Sequence, residues 1–180
     1  TRDDAAGEAF DKAARSMGMP YPGGIHLDKI AESGNDTAYE FPHPKVSGAL
    51  YDFSFSGLKT AIINQIHNAN QKGVEISVPD LSASFRKTVV DCLSEKFIKA
   101  AVDLGYNKLV VAGGVSANSL LRRRLKDECM RRDFELFVPE LKYCGDNAAM
   151  VGSQAYYEYL SGNIASLDLN GCAALQITDR

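Results

Sequence analysis

The sequence predicts a helix-rich α/β fold with few strands. Apolar residues recur at helical spacing in several long segments, which is typical of helices that bury one face. Residues 109–112 form a short apolar run followed by two glycines, and a second apolar run covers residues 136–138. Runs of this length predict short buried strands, and their alternation with helices favours the α/β class.

The first half of the chain predicts helices separated by proline and glycine. The first helix is the clearest, because Phe10, Ala13, Ala14 and Met17 fall on one helical face. The Pro-Tyr-Pro-Gly-Gly run at residues 20–24 ends it, and a glycine ends the second helix. The predicted elements are helices at residues 3–17, 25–33 and 54–68, with a loop or a strand pair at 35–50.

The second half predicts longer helices around the two strands. Pro79 stands where a proline fits the first turn of a helix, and a long amphipathic pattern follows it. The predicted elements are a helix at residues 79–104, a strand at 108–112, a helix at 116–132, a strand at 136–138 and a helix at 146–160. A length of 180 residues is enough for one sizeable core, so a single domain is expected.

Charge and cysteine content limit the functional classes. A net charge of −3 argues against coating nucleic acid by bulk electrostatics, although a local basic stripe remains compatible with it. The sequence has no signal peptide and no long apolar span, which predicts a cytoplasmic location without membrane contact. Its cysteines lack C-x-x-C spacing and are predicted to be core thiols: Cys92, Cys129, Cys144 and Cys172.

The most informative motif is the Gly113-Gly114 pair after the apolar strand. Glycine has no Cβ, so a flat ring can approach such a turn closely, and Ser116 follows at the predicted N-cap of the next helix. Two interpretations stand at this point. The turn either contacts a ligand such as an adenosine or allows tight packing of strand against helix.

Acidic residues give further candidates. Asp11 and Asp28 flank the glycine run, and two carboxylates there suit the vicinal hydroxyls of a ribose, although solvated helix residues have the same pattern. Asp146 begins the last predicted helix, where it is either an N-cap or a hard oxygen ligand for a metal or a group opposing a triphosphate. The sequence encodes no complete metal site, because no two of its three histidines are spaced at i,i+4.

Basic residues cluster on and after the helix that follows the glycine pair. They form either a solvated face or a track for RNA phosphates. The cluster consists of Arg122, Arg123, Arg124, Lys126, Arg131 and Arg132.

Five motifs together resemble one family in their order along the chain. That family is TsaD, the tRNA N(6)-adenosine threonylcarbamoyltransferases, formerly labelled O-sialoglycoprotein endopeptidases or glycoproteases. The motifs are DDAAGEAFDK (3–12), YPGG (21–24), DFSFSGLKT (52–60), AGGVSAN (112–118) and CGDN (144–147). The resemblance implies that residues 1–180 are the C-terminal portion of a two-lobed actin-like, Hsp70-like ATPase fold with a ribonuclease H-like lobe, without the N-terminal lobe.

The resemblance also implies a reaction and a site. Family members transfer threonylcarbamoyl from threonylcarbamoyl-AMP to the adenosine next to the anticodon in tRNAs that read codons beginning with A. They use one divalent metal, iron or zinc, and in bacteria they work with a paralogous TsaB-like subunit and a TsaE-like P-loop ATPase. The positions implied are Asp11, Gly24 and Asp28 toward the ribose, Gly113, Gly114 and Asn118 at the adenosine, and Asp146 as catalytic metal ligand.

Two motifs of the family are missing from these residues. The H-x-x-x-H metal motif and the S-G-G-H phosphate loop do not occur. The chain alone is therefore expected to be inactive. Two alternatives stay open: a non-catalytic scaffold or dimer partner of the same fold, and the metalloprotease of the older label, for which the sequence offers no H-E-x-x-H helix.

Overall fold

Six α-helices, two short 3-10 helices and two short strands make up the regular structure of residues 1–44 and 46–171, which are the residues that the computed structural model describes. The helix-rich α/β prediction is confirmed. The chain divides into two compact units, Thr1–Gly145 and Asp146–Arg180. In chain order the elements are α1 (Ala6–Ser16), α2 (Gly23–Ala31), α3 (Ser56–Lys72), α4 (Val78–Leu104), β1 (Lys108–Val110), α5 (Ser119–Arg132), β2 (Glu135–Phe137) and α6 (Ala148–Leu160).

Helices α1 and α2 pack closely because of one glycine. A Cβ on Gly23 would lie 2.5 Å from the Cβ of Ala14 and 3.2 Å from the Cα of Asp11, so only glycine fits there. The sequence predicts that the glycines precede the second helix, but both belong to its first turn. The residue at the N-cap is Pro22, whose side chain forms no capping hydrogen bond, and the Asp11 carboxylate instead accepts one from the Gly24 N–H at 3.0 Å.

Helix α4 contributes to both hydrophobic cores of the first unit, the first core around Phe10 and Leu27 and the second core around Leu109 and Leu125. It begins after the Ser77 cap and ends at Gly105, whose φ of 73° stops the helix in the left-handed conformation. Phe85 of α4 lies in the first core, where its ring meets those of Phe10 and Phe41 edge to face at 5.9 and 5.7 Å. Val90, Ile98 and Ala101 of the same helix bury their side chains in the second core.

Strands β1 and β2 are parallel, and α5 is the crossover between them. Leu109 pairs with Leu136, and Leu109 lies in the second core with Leu121 and Leu125 of α5. Strand β1 is shorter than the sequence predicts, since it ends at Val110 and only the Val111 N–H continues the ladder, to Phe137 O at 3.0 Å, while β2 has the predicted length but begins one residue earlier. No strand occurs at residues 35–44 or 46–50, so of the two predicted alternatives these residues form the loop.

Two predicted helix caps are wrong by one or two residues. Ser116 lies inside a 3-10 turn, Gly114–Ala117, and Asn118 is the residue that caps α5 by accepting from the Leu121 N–H at 2.9 Å. In the second unit Asn147, not Asp146, caps α6 by accepting from the Met150 N–H at 2.9 Å. Serine, asparagine and aspartate side chains are about equally good N-caps, so residue type alone does not distinguish Ser116 from Asn118 or Asp146 from Asn147.

The cysteines in the described residues are free and buried. They are Cys92, Cys129 and Cys144, which confirms the predicted core thiols, whereas Cys172 lies outside the described residues. Burial raises the pKa of the Cys92 and Cys129 thiols. None of the helices in the described part of the chain is both long and apolar enough to cross a bilayer.

Candidate adenylate site

The Gly113-Gly114 turn is an open surface. Gly113 has φ 84° and ψ 171°, a backbone conformation that only glycine adopts readily. A Cβ on either glycine would have no atom of the described residues within 4 Å. Within the described residues, therefore, no packing of strand against helix requires the absence of a Cβ at this turn, and the ligand interpretation stays a prediction.

Asn118 sits at the end of that turn with its amide in a fixed orientation. Its Oδ1 accepts from the Leu121 N–H, and its Nδ2 donates to Asp28 Oδ1 at 2.9 Å. The residue is only 8% exposed. One N–H of the amide remains for a ligand after these two hydrogen bonds.

Asp28 forms more hydrogen bonds within the protein than its position in the sequence predicts. Its Oδ1 accepts from Asn118 and from Arg86 Nη1 at 2.9 Å, and its Oδ2 accepts from the Ser119 N–H at 3.0 Å. The carboxylate therefore joins α2, α4 and the start of α5. The sequence predicts a solvated or ribose-binding aspartate, but the side chain is half-buried and engaged on both oxygens.

Sequence reasoning missed Arg86, which lies between those three helices. It is 5% exposed. The only feature of the sequence that could have indicated its role is a charged residue between the apolar or small residues 81–85 and 89–90 of α4, which are buried. Glu32 is its second acidic partner, at 2.6 Å. Arg123 in particular, together with Arg86 and Ser119, lowers the pKa of Glu32 to about 2 by donating hydrogen bonds to its carboxylate.

Asp11 is the less engaged of the two candidate aspartates. Its Oδ1 accepts from the Gly24 N–H, and Oδ2 has no hydrogen-bond partner among the described residues. The N-terminal part of α1 approaches the glycine turn, because a Cβ on Gly7 would lie 3.4 Å from the Val115 side chain. The structure thus links Asp28 and Asn118 directly, and links Asp11 with Gly24.

Asp146 belongs to the second unit and is exposed. Within the described residues, no three His, Cys, Asp or Glu side chains come together as a possible metal site. Because iron and zinc sites in proteins supply three or more ligands, the described residues do not by themselves fit such a metal.

The basic cluster on α5 is largely used within the protein. Arg122 donates to the Ser116 and Pro139 carbonyls at 2.6 and 2.7 Å. Four ion pairs join Arg123 to Glu32, Arg124 to Asp91, and Arg131 and Arg132 to Glu128. Neither predicted interpretation, a solvated face or a phosphate track, describes these arginines fully.

Comparison with known proteins agrees with the motifs. The family model described as "TsaD: tRNA N6-adenosine threonylcarbamoyltransferase" matches residues 1–153. A protein of that name from Clostridium botulinum (strain Kyoto / Type A2) is 48% identical over 180 residues, which are 100% of this chain and 53% of the relative. Another from Staphylococcus haemolyticus (strain JCSC1435) is 52% identical over 171 residues, 95% of this chain and 50% of the relative.

Solved structures of HypF have a similar fold. The chain superimposes on HypF from T. kodakarensis with a TM-score of 0.63 at 22% identity, covering 88% of this chain and 20% of that one. Full-length HypF in its phosphate- and nucleotide-bound form gives a TM-score of 0.61, also at 22% identity, covering 86% and 20%. At this identity the likeness shows the fold alone.

The extent of the match is asymmetric. The chain spans about half the length of the relatives that it matches. The family model, in contrast, matches residues 1–153 of this chain. The five motifs quoted above all lie within that range. The chain therefore belongs to the TsaD family of tRNA N6-adenosine threonylcarbamoyltransferases.

Proposed function

We propose that the complete protein transfers threonylcarbamoyl from threonylcarbamoyl-AMP to the N6 amine of the adenosine next to the anticodon, in tRNAs that read codons beginning with A. The family match and the names of the relatives support this reaction. The amine forms a C–N bond to the carbamoyl carbon, the bond from that carbon to the phosphate oxygen breaks, and AMP and a proton leave. Such a reaction between two bound substrates depends mainly on positioning them.

The open glycine turn is the observation that carries the proposal for this chain. The adenine ring lies on Gly113 and Gly114, where nothing in the described residues occupies the space above the backbone. Asn118 contacts the adenosine through its remaining amide N–H, and Asp11 accepts a ribose hydroxyl through its unengaged oxygen. Gly24 and Asp28 complete the ribose side.

The fold suits an adenylate site of this kind. Parallel strands β1 and β2 with crossover helix α5 and a glycine turn after β1 support assignment to the ribonuclease H-like lobe of the actin-like, Hsp70-like ATPase fold. Asp146 supplies one carboxylate to a divalent iron or zinc ion whose other ligands come from outside these residues. The proposed setting is the cytoplasm, away from membranes, with tRNA, a TsaB-like paralogue and, in bacteria, a TsaE-like ATPase as partners.

A nucleoside assay tests this function. The complete protein is incubated with threonylcarbamoyl-AMP and a tRNA that reads codons beginning with A, and the digested tRNA is analysed by mass spectrometry. We expect threonylcarbamoyladenosine to form. A tRNA that reads other codons is the control and should remain unmodified. A protein that binds tRNA and its paralogue yet yields no modified nucleoside would instead be the scaffold of the alternative interpretation.

A further inference from the structure

Arg86 is a buried cation that pairs with Asp28 of the proposed adenylate site. Its side chain is 6% exposed, and Nη1 donates to Asp28 Oδ1 at 2.9 Å and to Glu32 Oε1 at 2.6 Å. It also donates to the backbone carbonyls of Asp28 and Ala31 at 3.0 and 3.3 Å. Arg86, on α4, thus holds the last turn of α2 and the C-cap residue Glu32, and its contact with Asp28 spans 58 residues of sequence.

The carboxylate of Asp28 transmits this constraint to α5. It accepts from the Asn118 side-chain amide and from the Ser119 N–H, the first N–H of the helix. Without Arg86 the half-buried carboxylate would keep only its Asn118 and Ser119 donors, and we expect it to turn toward solvent, because a partly buried charge that has lost its cation is better solvated there. Such a rotation would remove the acceptor of the Asn118 amide.

The orientation of the Asn118 amide depends on having both partners. Oδ1 is held by the Leu121 N–H and Nδ2 by Asp28, so the amide cannot exchange its oxygen and nitrogen without losing two hydrogen bonds. With Asp28 withdrawn, one of those constraints disappears. The N–H offered to a ligand would then no longer be fixed in direction.

We infer that Arg86 is a positioning residue of the adenylate site, which it serves by holding Asp28 so that Asp28 orients the Asn118 amide. The inference rests on the proposed function, in which Asn118 contacts the adenosine. Asp28 accordingly acts on the nucleotide through Asn118 as well as from the ribose side. Arg86 itself does not touch the nucleotide.

A double-mutant cycle in the complete protein tests this chain of contacts, with AMP as the probe and calorimetry as the measurement. We expect Arg86→Gln to weaken AMP binding at least tenfold and Arg86→Lys, which keeps the charge but not the planar fork, to weaken it less. In an Asp28→Asn background, Arg86→Gln should cost less than a further twofold. An additive effect in that background would overturn the inference, because Arg86 would then act independently of Asp28.

The matched control is Arg124→Gln. Arg124 of α5 forms an ion pair with Asp91 of α4 at 2.7 Å and makes no hydrogen bond or ion pair with Asp28 or Asn118 within the described residues. Thermal unfolding is recorded for every variant, and Arg124→Gln should lower Tm while changing AMP affinity less than twofold. Equal losses of affinity in Arg86→Gln and Arg124→Gln would show a purely structural role and overturn the inference.

Two further outcomes separate this inference from the proposed function. If Arg86→Gln does not fold, Arg86→Lys takes its place in the cycle, and unchanged AMP affinity in Arg86→Lys would overturn the positioning role. If the unchanged protein does not bind AMP, the adenylate site itself is wrong, and the inference fails with it. AMP binding that is lost in Gly114→Val but retained in Arg86→Gln would support the site and reject the positioning residue.

Discussion

Gly23 and Gly24 are neighbours in the chain, but the space around them differs. A Cβ on Gly23 would overlap the Cβ of Ala14, whereas the nearest atom to a Cβ on Gly24 is the Cβ of Phe10 at 3.6 Å, an ordinary contact. The sequence resemblance singles out Gly24, and the packing singles out Gly23. Adjacent glycines can therefore have different roles, one allowing two helices to pack closely and the other belonging to a proposed ligand site.

The two glycines should respond differently to alanine. Gly23→Ala should lower the free energy of unfolding by about 1–3 kcal/mol, since the overlap forces α1 and α2 apart. Gly24→Ala should change it by less than about 0.5 kcal/mol, as is usual for substitutions that create no overlap. Denaturant unfolding of the complete protein measures both. Equal free energies for the two variants would mean that the α1–α2 contact adjusts freely.

Gly114 allows a test of the ligand that leaves the fold intact. Its φ lies outside the left-handed range, and an added Cβ would have no atom of the described residues within 4 Å. Gly114→Val should therefore fold normally and abolish measurable AMP binding in calorimetry, with Gly114→Ala giving a smaller loss. Gly57→Val is the control, because Gly57 is exposed and equally open but lies on α3. Unchanged AMP affinity in Gly114→Val would show that the adenine does not bind at this turn.

At the scale of elements, α3 is capped by a residue far away in sequence. The N-cap residue Phe55 forms no capping hydrogen bond with its own side chain, and the Asp3 carboxylate accepts from the Phe55 N–H at 2.7 Å and from the Ser56 hydroxyl at 2.7 Å. Hydrogen bonds from the Ser54 and Ser56 hydroxyls hold the pKa of Asp3 well below its usual range. The first residues of the chain are thereby tied to the start of α3.

This cap makes stability depend on acidity. The folded-state pKa of Asp3 lies below its unfolded value near 4, so its contribution is complete above that pH and is lost as pH falls below it. Asp3→Asn should lower the free energy of unfolding at pH 7 by about 1 kcal/mol, as for other lost caps, and reduce its decline below pH 4. Asp36→Asn, at an exposed residue with no side-chain hydrogen bond in the described residues, is the control. Parallel pH profiles for Asp3→Asn and the unchanged protein would contradict the cap.

Local pattern predicted the elements better than their ends. Helical periodicity placed α1 to α6, because each buries or presents a face set by residues three and four apart. The start of α1 was predicted at Asp3, whereas the helix begins at Ala6 because Asp3 is engaged at α3. Capping by Asn118 instead of Ser116 depends on the extra 3-10 turn after Gly113, which no periodicity indicates.

At the scale of the whole molecule, the motifs predicted the residues of the site but not the contacts that hold them. Asp11, Gly24, Asp28 and Asn118 all belong to the unit Thr1–Gly145, and the unit that follows begins at Asp146. The network that orients Asn118 was not predictable from sequence, because Arg86 and Asp28 are 58 residues apart and meet only after α2, α4 and α5 pack. Tertiary contacts of that kind leave no local signal.

The last prediction concerns Asp146 and the chain as a whole. A single carboxylate holds iron or zinc weakly, and the described residues bring no three ligands together. The complete protein should contain stoichiometric metal and be active, while residues 1–180 alone should show neither.

In the complete protein Asp146→Ala and Asp146→Asn should both lower metal content by elemental analysis and abolish tRNA modification, whereas Asp168→Ala should keep both. Because Asn147 caps α6, loss of Asp146 should leave that helix intact. Retained metal and activity in Asp146→Asn would instead make Asp146 a hydrogen-bonding residue beside the α6 cap.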